Sequence, residues 1–231
     1  MGKKLLFLLS FGWIFNCAHR MAISPLIPLI KEELGITNAQ AGLLMTSFLL
    51  FYTLVQVPTG YFGDKLGRKR LVVISILGYS FAGSLMIFTR EYWHLISIGM
   101  LHGFFAGLYF VPSTALISET YKKRKGSTLG VFMIGPTMGS VITPTIVVLV
   151  GIALGWRYSF LVLSLMSALI GFALIFTIRK EIRREVKQVE KPKFSIPRNV
   201  IGLSFMSLIT LFGFFGMLTF FPTSLLMKAE T

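Results

Sequence analysis

The sequence predicts an all-α membrane protein, and three observations carry that prediction. The 231 residues are 54% hydrophobic and only 14% charged, and the mean hydropathy is +0.75. Apolar runs of roughly 20 residues recur along the chain, and each is long enough to cross a ~30 Å hydrocarbon core as a helix. Short segments of alternating hydrophobicity are not found, so a membrane β-barrel is not expected.

Seven apolar runs follow one another along the chain. The predicted spans are residues 5–30, 41–62, 71–88, 94–118, 128–150, 158–178 and 200–221. Pro25 and Pro28 lie in the first span, where they would bend a helix that lines a cavity. Gly99, Gly103 and Gly107 recur at every fourth position of the fourth span. This spacing of small residues allows one face of the helix to pack closely against a neighbour.

The positive charge is distributed unevenly between the connecting segments. The net charge is +14, and eighteen of the 23 Lys and Arg residues lie before the first span or after the second, fourth and sixth spans. Only Lys31, Arg90, Arg157 and Lys228 lie in the opposite segments. The positive-inside rule therefore places the N-terminus and residues 179–198 in the cytoplasm. The same distribution makes nucleic-acid binding the weaker interpretation of the charge.

Residues 60–71, GYFGDKLGRKRL, connect the second and third spans. Gly60 and Gly63 leave room for a neighbouring helix, and Gly67 can take the positive φ that a sharp reversal needs. Asp64 stands at the membrane boundary, ahead of four basic residues. Taken alone, this pattern is typical of a solvated turn whose charges fix the orientation of the helices.

The same loop closely resembles the signature of the major facilitator superfamily, G-x-x-x-D-(R/K)-x-G-R-(K/R). The matching residues are Gly60, Asp64, Lys65, Gly67, Arg68 and Lys69. Residues 119–126 resemble the family's E-x-x-x-x-R-x-G turn, and residues 155–157 resemble its G-W-R turn before the sixth span. Gly135, Pro136 and Gly139 are similar to the core of its fifth-span antiporter motif, in which Ser140 here replaces a glycine.

This resemblance implies two six-helix bundles, each made of two inverted three-helix repeats, with a substrate site between them at mid-membrane. Residues 1–178 would form the N-terminal bundle, 179–198 a basic cytoplasmic loop, and 199–231 the first helix of an incomplete C-terminal bundle. The resemblance also implies a gating motif, in which Asp64 latches the inner ends of the two bundles. The gating residues would be Gly60, Gly63, Asp64, Gly67, Arg68 and Lys69.

Arg20 is the most informative single residue, because it lies within the first span. A charge at the centre of a membrane helix costs about 2.5–3.5 kcal/mol on insertion scales. Arg20 shares one helix face with Asn16 and Ser24. It could line a cavity and hold an anion through bidentate hydrogen bonds, or it could snorkel to the outer interface. Its spacing to Pro28 resembles that of organic-anion and organophosphate members of the superfamily.

Four further residues are candidates for the substrate-facing surface. Tyr52 and Gln56 lie one turn apart on the second span, and His102 and Tyr109 share a face of the fourth. Packing in the core remains an equal alternative for Tyr52 and Gln56. A histidine in a membrane helix is more often a hydrogen-bonded packing residue, and His19 is the weaker of the two buried histidines as a candidate. No Asp or Glu lies within the middle of a span.

The leading hypothesis is a secondary active transporter, or its N-terminal part, that moves a small anionic organic solute by alternating access. It would lie in the cell membrane, surrounded by lipid, with a proton or an exchanged anion as the coupling ion. No nucleotide-binding loop or metal-ligand cluster occurs, so neither an enzyme nor a cofactor is expected. The alternatives are a non-transporting membrane remnant and a half-transporter that needs a partner chain. A seven-span receptor is disfavoured, because the seventh span has no mid-helix lysine.

Overall fold

The computed structural model describes the backbone of residues 2–185 and the side chains of residues 3–177. Seven α-helices account for almost all of this part. They are α1 Gly2–Leu34, α2 Asn38–Leu66, α3 Arg68–Leu85, α4 Tyr92–Gly107, α5 Phe110–Thr120, α6 Lys125–Leu154 and α7 Trp156–Glu185. Two 3₁₀ turns, Met86–Phe88 and Lys122–Arg124, complete the connections. The described residues include no β-strand, and the predicted seventh span, 200–221, lies outside them.

These helices form six crossings of membrane length, as predicted for this part of the chain. Helices α4 and α5 together make one crossing, Tyr92–Thr120. They are separated at Leu108, four residues before Pro112. In a continuous helix, the Pro112 ring would clash with the Leu108 carbonyl, and proline has no N–H to donate to it. Pro25 and Pro28, in contrast, lie inside a single continuous α1. Helix α7 continues to Glu185, so the first residues of the predicted loop 179–198 are helical.

Two glycines make the tight reversals between consecutive long helices. Gly67 joins α2 to α3 with φ 92°, and Gly155 joins α6 to α7 with φ 102°. Each donates its backbone N–H to a carbonyl four residues earlier, at 3.0 Å and 2.9 Å respectively. The positive φ predicted for Gly67 is therefore confirmed. A side chain at either position would strain the backbone, because L-residues rarely adopt this conformation.

The helices pack in pairs that relate the first three crossings to the last three. Helix α1 packs on α6, α2 packs on α4, and α3 packs on α7. The first crossing thus packs on the fifth, the second packs on the fourth, and the third packs on the sixth. Exchanging the two sets of three crossings leaves these pairs unchanged. This is the pattern expected for two three-helix repeats within one bundle, and it agrees with the predicted fold class.

Glycines allow the α2 and α4 backbones to touch. A methyl group at Gly103 would overlap the carbonyl oxygen of Phe48, and one at Gly107 would overlap that of Tyr52. Gly99, one turn earlier, is looser, with its nearest neighbouring atom at 3.4 Å. The close face predicted for the fourth span is therefore confirmed, and α2 is its partner. Gly139 plays the equivalent part in α6, where a methyl group would lie 2.7 Å from the carbonyl oxygen of Ile14 in α1.

We expect Gly103→Ala to destabilise the bundle, because the new methyl group must push α2 away from α4. Overpacking of this kind costs about 1–3 kcal/mol. The matched control is Gly42→Ala on α2, where no atom lies within 4 Å of the added methyl group. Thermal unfolding of the detergent-solubilised variants measures the difference. Equal melting temperatures for the two variants would contradict the close α2–α4 contact.

Candidate functional site

Arg20 lies near the middle of the first crossing, Lys3–Leu34. Helix α1 continues past the predicted span 5–30 to Leu34, through the charged residues Lys31, Glu32 and Glu33. Its guanidinium carbon is 5.6 Å from the centre of the Tyr52 ring, and its Nη2 is 3.8 Å from the Cys17 Sγ. No carboxylate among residues 3–177 forms an ion pair with it. Arg20 is therefore a mid-membrane cation that has no opposite charge beside it in the described bundle.

Tyr52 and Gln56 lie on α2, across from this part of α1. Tyr52 is 7% exposed, and its ring is the one that faces the Arg20 guanidinium. Gln56 lies one turn further along the same face and is partly exposed. Of the predicted substrate residues, the structure thus brings Arg20 and Tyr52 into contact, with Gln56 one turn away. Their part in binding a substrate stays a prediction.

Asn16 is fully buried and joins α1 to α4. Its Nδ2 donates a hydrogen bond of 2.9 Å to the carbonyl oxygen of Ala106. Its Oδ1 has no partner among the described residues, so the amide is only half satisfied. The structure gives Asn16 a role in helix packing, whereas its predicted contact with substrate remains untested.

Tyr109 and His102 also lie inside the bundle, with no exposed surface. The Tyr109 hydroxyl donates a hydrogen bond of 2.6 Å to the Leu9 carbonyl oxygen, and its ring stacks on Trp13 at 5.8 Å. The His102 ring contacts Phe48, with ring centres 5.5 Å apart. A substrate role for either residue stays a prediction, and the packing alternative is the one that these contacts favour.

A buried network of hydroxyl groups was not predicted from the sequence. The Ser167 Oγ lies 3.2 Å from the His19 Nε2 and 2.7 Å from the Ser80 Oγ, so it connects α1, α3 and α7. Serines in membrane helices commonly bond to their own helix carbonyls, as Ser80 does to Ile76 at 2.7 Å. A single serine in an apolar run therefore carries no recognisable signal of such a network.

The signature loop forms an ion-pair cluster at one end of the bundle. Arg68, the first residue of α3, bonds to Asp64 at 3.1 Å and to Glu119, near the end of α5. Gly63 packs beside it, with a methyl group there 3.6 Å from the Arg68 Cγ. Asp64 is thus held by its own bundle, and its proposed latch to a second bundle is not tested. Lys69, the following residue, is largely buried.

The close approach predicted at Gly60 was wrong for the described bundle. No heavy atom outside its own helix backbone and chain neighbours lies within 4 Å of a Cβ built at this residue. Gly60 lies on a face of α2 that points away from the other described helices, whereas Gly63 faces α5 at Pro112. Glycines three residues apart in one helix differ in direction by about 60°, so only one of the two meets this neighbour.

An equivalent cluster occupies the other end of the bundle, at the G-W-R turn. Arg157, in the first turn of α7, pairs with Glu33 of α1 and donates to the Thr89 carbonyl oxygen at 2.8 Å and 2.6 Å. The Trp156 indole donates to the same Glu33 carboxylate at 2.8 Å, and its ring lies 4.3 Å from the Arg157 guanidinium carbon. Each cluster therefore joins an arginine that follows a positive-φ glycine to a glutamate near a helix end. The sequence indicated the turn but not the glutamate.

Comparison with known proteins identifies the family. The profile of the Major Facilitator Superfamily matches residues 9–229. The chain belongs to this superfamily. The fold is also similar to that of a solved peptide transporter in complex with sulfate. The TM-score is 0.72, and the match covers 95% of this chain and 46% of that chain. The sequence identity there is 16%, so this likeness concerns the fold alone.

Two curated superfamily relatives are named as transporters of organic acids. The probable sulfoacetate transporter of Cupriavidus necator is 31% identical over 158 residues, which cover 68% of this chain and 36% of that protein. The hexuronate transporter of Bacillus subtilis is 26% identical and is matched over 96% of this chain and 56% of its own length. The chain thus spans about a third to a half of these relatives. Both of these relatives are named as transporters.

We expect Glu33→Gln to lower the stability of the superfamily bundle modestly, by about 1 kcal/mol, because Glu33 is half exposed and solvent weakens its ion pair. Glu32→Gln is the matched control, since the Glu32 carboxylate has no such ion pair among the described residues. Thermal unfolding in detergent at low and high salt measures both variants. A melting temperature lowered equally by the two substitutions would show that the Arg157 cluster is not responsible.

Proposed function

We propose that this chain forms the N-terminal bundle of a secondary active transporter that moves a small organic anion by alternating access. The observation that carries the proposal is Arg20, a mid-membrane guanidinium without a carboxylate partner in the described bundle. Ionisable residues at this depth usually face a cavity and mark a substrate pathway. Snorkelling is the weaker alternative, because the Arg20 guanidinium packs on the buried Tyr52 ring and the Arg20 Nε is itself buried.

The chemistry of the site suits a carboxylate or a sulfonate. A guanidinium presents its N–H groups in a planar fork that matches two oxygens of such an anion. The Tyr52 ring, 5.6 Å from the guanidinium carbon, holds that fork through a cation–π contact while leaving its edge free to bond. Electrostatic attraction is also stronger at mid-membrane than in water, because the surroundings have a low dielectric constant. The names of the sulfoacetate and hexuronate relatives support an anionic organic substrate.

A complete site would need a second bundle, since superfamily substrates bind between two bundles. The chain covers 36% and 56% of the two relatives, which agrees with this requirement. The second bundle would come from the same polypeptide or from a partner chain. In a cell membrane, the basic segments would place the N-terminus in the cytoplasm, and the coupling ion would be a proton or an exchanged anion.

The proposed orientation is tested by single cysteines placed in exposed turns on opposite ends of the bundle. Lys123→Cys should be labelled only after the membrane is made permeable, whereas Glu91→Cys should react in intact cells, because the basic segments stay inside. Both positions are exposed, and the native Cys17 is buried at 2% exposure, so the unmodified chain serves as the control. Labelling of Lys123→Cys in intact cells, without labelling of Glu91→Cys, would show that the chain has the opposite orientation.

The proposed substrate site is tested at Arg20. Arg20→Gln should weaken sulfoacetate binding about tenfold or more, because charged hydrogen bonds contribute about 1.5–3 kcal/mol. Arg20→Lys should bind weakly too, since it keeps the charge but loses the planar fork. The control is Arg90→Gln, an exposed arginine at a helix connection. Binding, by calorimetry in lipid nanodiscs, and uptake are both measured in the protein that contains a second bundle.

Three results would contradict the proposal in different ways. Wild-type affinity in Arg20→Lys would favour a simple positive charge over a bidentate site. Retained binding by Arg20→Gln would remove Arg20 from the site altogether. A folded wild-type protein with a second bundle that neither binds nor transports organic anions would favour the alternative of a non-transporting membrane protein.

A further inference from the structure

An open groove runs between α1 and α6. Its volume is about 330 Å³, and it is lined mainly by apolar side chains from residues 3–14 and 131–138. Phe7 of α1 is 59% exposed, and Ile134 and Met138 of α6 are 55% and 47% exposed. These large apolar side chains form the walls of a concave surface. Such a surface marks a place where another apolar group binds.

Glycines of α6 bring the two helices together at the floor of this groove. A methyl group at Gly135 would lie 3.1 Å from the Ser10 carbonyl oxygen, so the α1 and α6 backbones nearly touch there. Further along both helices, a methyl group at Gly151 would lie 2.9 Å from the Leu26 side chain. The helices therefore run in the same direction, and both begin at the same end of the groove.

Two lysines lie at that end. Lys3 lines the groove and also an adjoining hollow of about 380 Å³, which extends to Lys4. Both lysines are exposed, and neither forms an ion pair with a carboxylate of the described residues. The carboxylates at this end of the bundle, Asp64 and Glu119, are bonded to Arg68 instead. The groove thus combines positive charge at one end with apolar walls along the rest of its length.

The length of the groove matches one leaflet of a membrane. It extends along α1 from Lys3 to Ile14, which corresponds to roughly 16 Å at a rise of 1.5 Å per residue. The hydrocarbon core of a bilayer is ~30 Å thick, so one leaflet contributes about half of that distance. A chain that starts at the lysines and follows the groove would therefore end near the middle of the membrane.

We propose that this groove binds one anionic phospholipid, with an acyl chain between α1 and α6 and the phosphate at Lys3 and Lys4. A phospholipid has the same arrangement as the groove, a charged group at one end and an apolar chain along the rest. Lysine reaches an interfacial phosphate while its apolar stem stays on the helix. An apolar helix would fill the groove but leave both lysines without an opposite charge.

The leaflet follows from the proposed orientation, whereas the groove and its lysines do not depend on it. In that orientation the groove opens on the cytoplasmic side, where anionic lipids give the membrane surface a negative potential. Basic residues beside such a surface are attracted to it, and the effect falls off within a Debye length. The lysines therefore select the headgroup, and the groove holds the chain.

Photochemical cross-linking of the full chain in phosphatidylcholine nanodiscs tests where the lipid binds. The probe is phosphatidylglycerol with a diazirine at the end of one acyl chain. We expect cross-links at residues 11–14 and 134–138, which excess unlabelled phosphatidylglycerol removes and excess phosphatidylcholine does not. Cross-links spread evenly over the exposed apolar residues of α6 and α7, or equal competition by the two lipids, would overturn the proposal.

The headgroup contact is tested by removing the two lysines together. Lys3→Gln combined with Lys4→Gln should weaken phosphatidylglycerol binding roughly tenfold or more and leave phosphatidylcholine binding unchanged. The matched control combines Lys122→Gln with Lys123→Gln, which removes the same charge from exposed positions outside the groove. Lipid titrations followed by native mass spectrometry measure both double variants. An equal loss in the two would indicate a diffuse positive surface and overturn the site.

The acyl-chain contact is tested by filling the groove. Ile134→Trp should abolish the cross-links at residues 11–14 and weaken phosphatidylglycerol binding severalfold, because the larger ring occupies the space of the chain. Leu149→Trp is the control, since Leu149 is 64% exposed on the same helix and lies outside the groove. Melting temperatures show that both variants are folded. Unchanged lipid binding in Ile134→Trp would overturn the proposal, and loss of self-association in its place would identify a second copy of the chain as the occupant.

Discussion

Direct contact between helix backbones is the constraint on which the rest of this bundle depends. Because Gly103 and Gly107 have no side chains, α4 lies against the carbonyl oxygens of Phe48 and Tyr52 on α2. Within a membrane, such contact is a main source of helix association, since lipid is as apolar as the side chains. The same contact places the Phe48 ring on His102 and holds Tyr52 facing Arg20. The packing of these glycines on α2 therefore sets the positions of Phe48 and Tyr52 relative to α1 and α4.

The two ends of the bundle are closed by related arrangements of charge. Arg68 and Arg157 each follow a glycine with positive φ, and each joins the start of one helix to a glutamate near the end of another. These pairs are partly exposed, so each contributes little stability by itself. Their value is geometric, because they fix where neighbouring helices end relative to one another. Because these ion pairs lie at the helix ends, the buried polar side chains between them, such as Asn16 and Ser167, are bonded without carboxylates.

Neighbouring residues of α1 face different helices. Consecutive residues of an α-helix point about 100° apart. Arg20 accordingly faces Tyr52 on α2, whereas His19 points to Ser167 on α7 and to His102 on α4. One helix thus carries a cation that faces α2 next to an imidazole that is buried against α4 and α7.

The sequence by itself determined the six crossings of the part that the structure describes, the tight turn at Gly67 and the close face of the fourth span. Each of these depends on local properties: the length of an apolar run, a glycine at a turn, and the spacing of small residues. It also located Arg20, because a charge inside an apolar run is visible without knowledge of its neighbours. The Arg68–Asp64 part of one cluster likewise follows from residues one turn apart.

Only the tertiary structure decided which side of each helix faces inward. In a soluble protein, a polar face marks the outside, but every face of these helices is apolar because lipid and protein interior are similar solvents. The sequence therefore could not distinguish Asn16, His102 and Tyr109, which are fully buried, from Tyr52 and Gln56 near Arg20. It gave no sign that Gly60 faces away from the described helices, or that Ser167 lies 148 residues from its partner His19 along the chain. Contacts between distant residues arise only when the helices pack, because no local pattern of hydrophobicity records them.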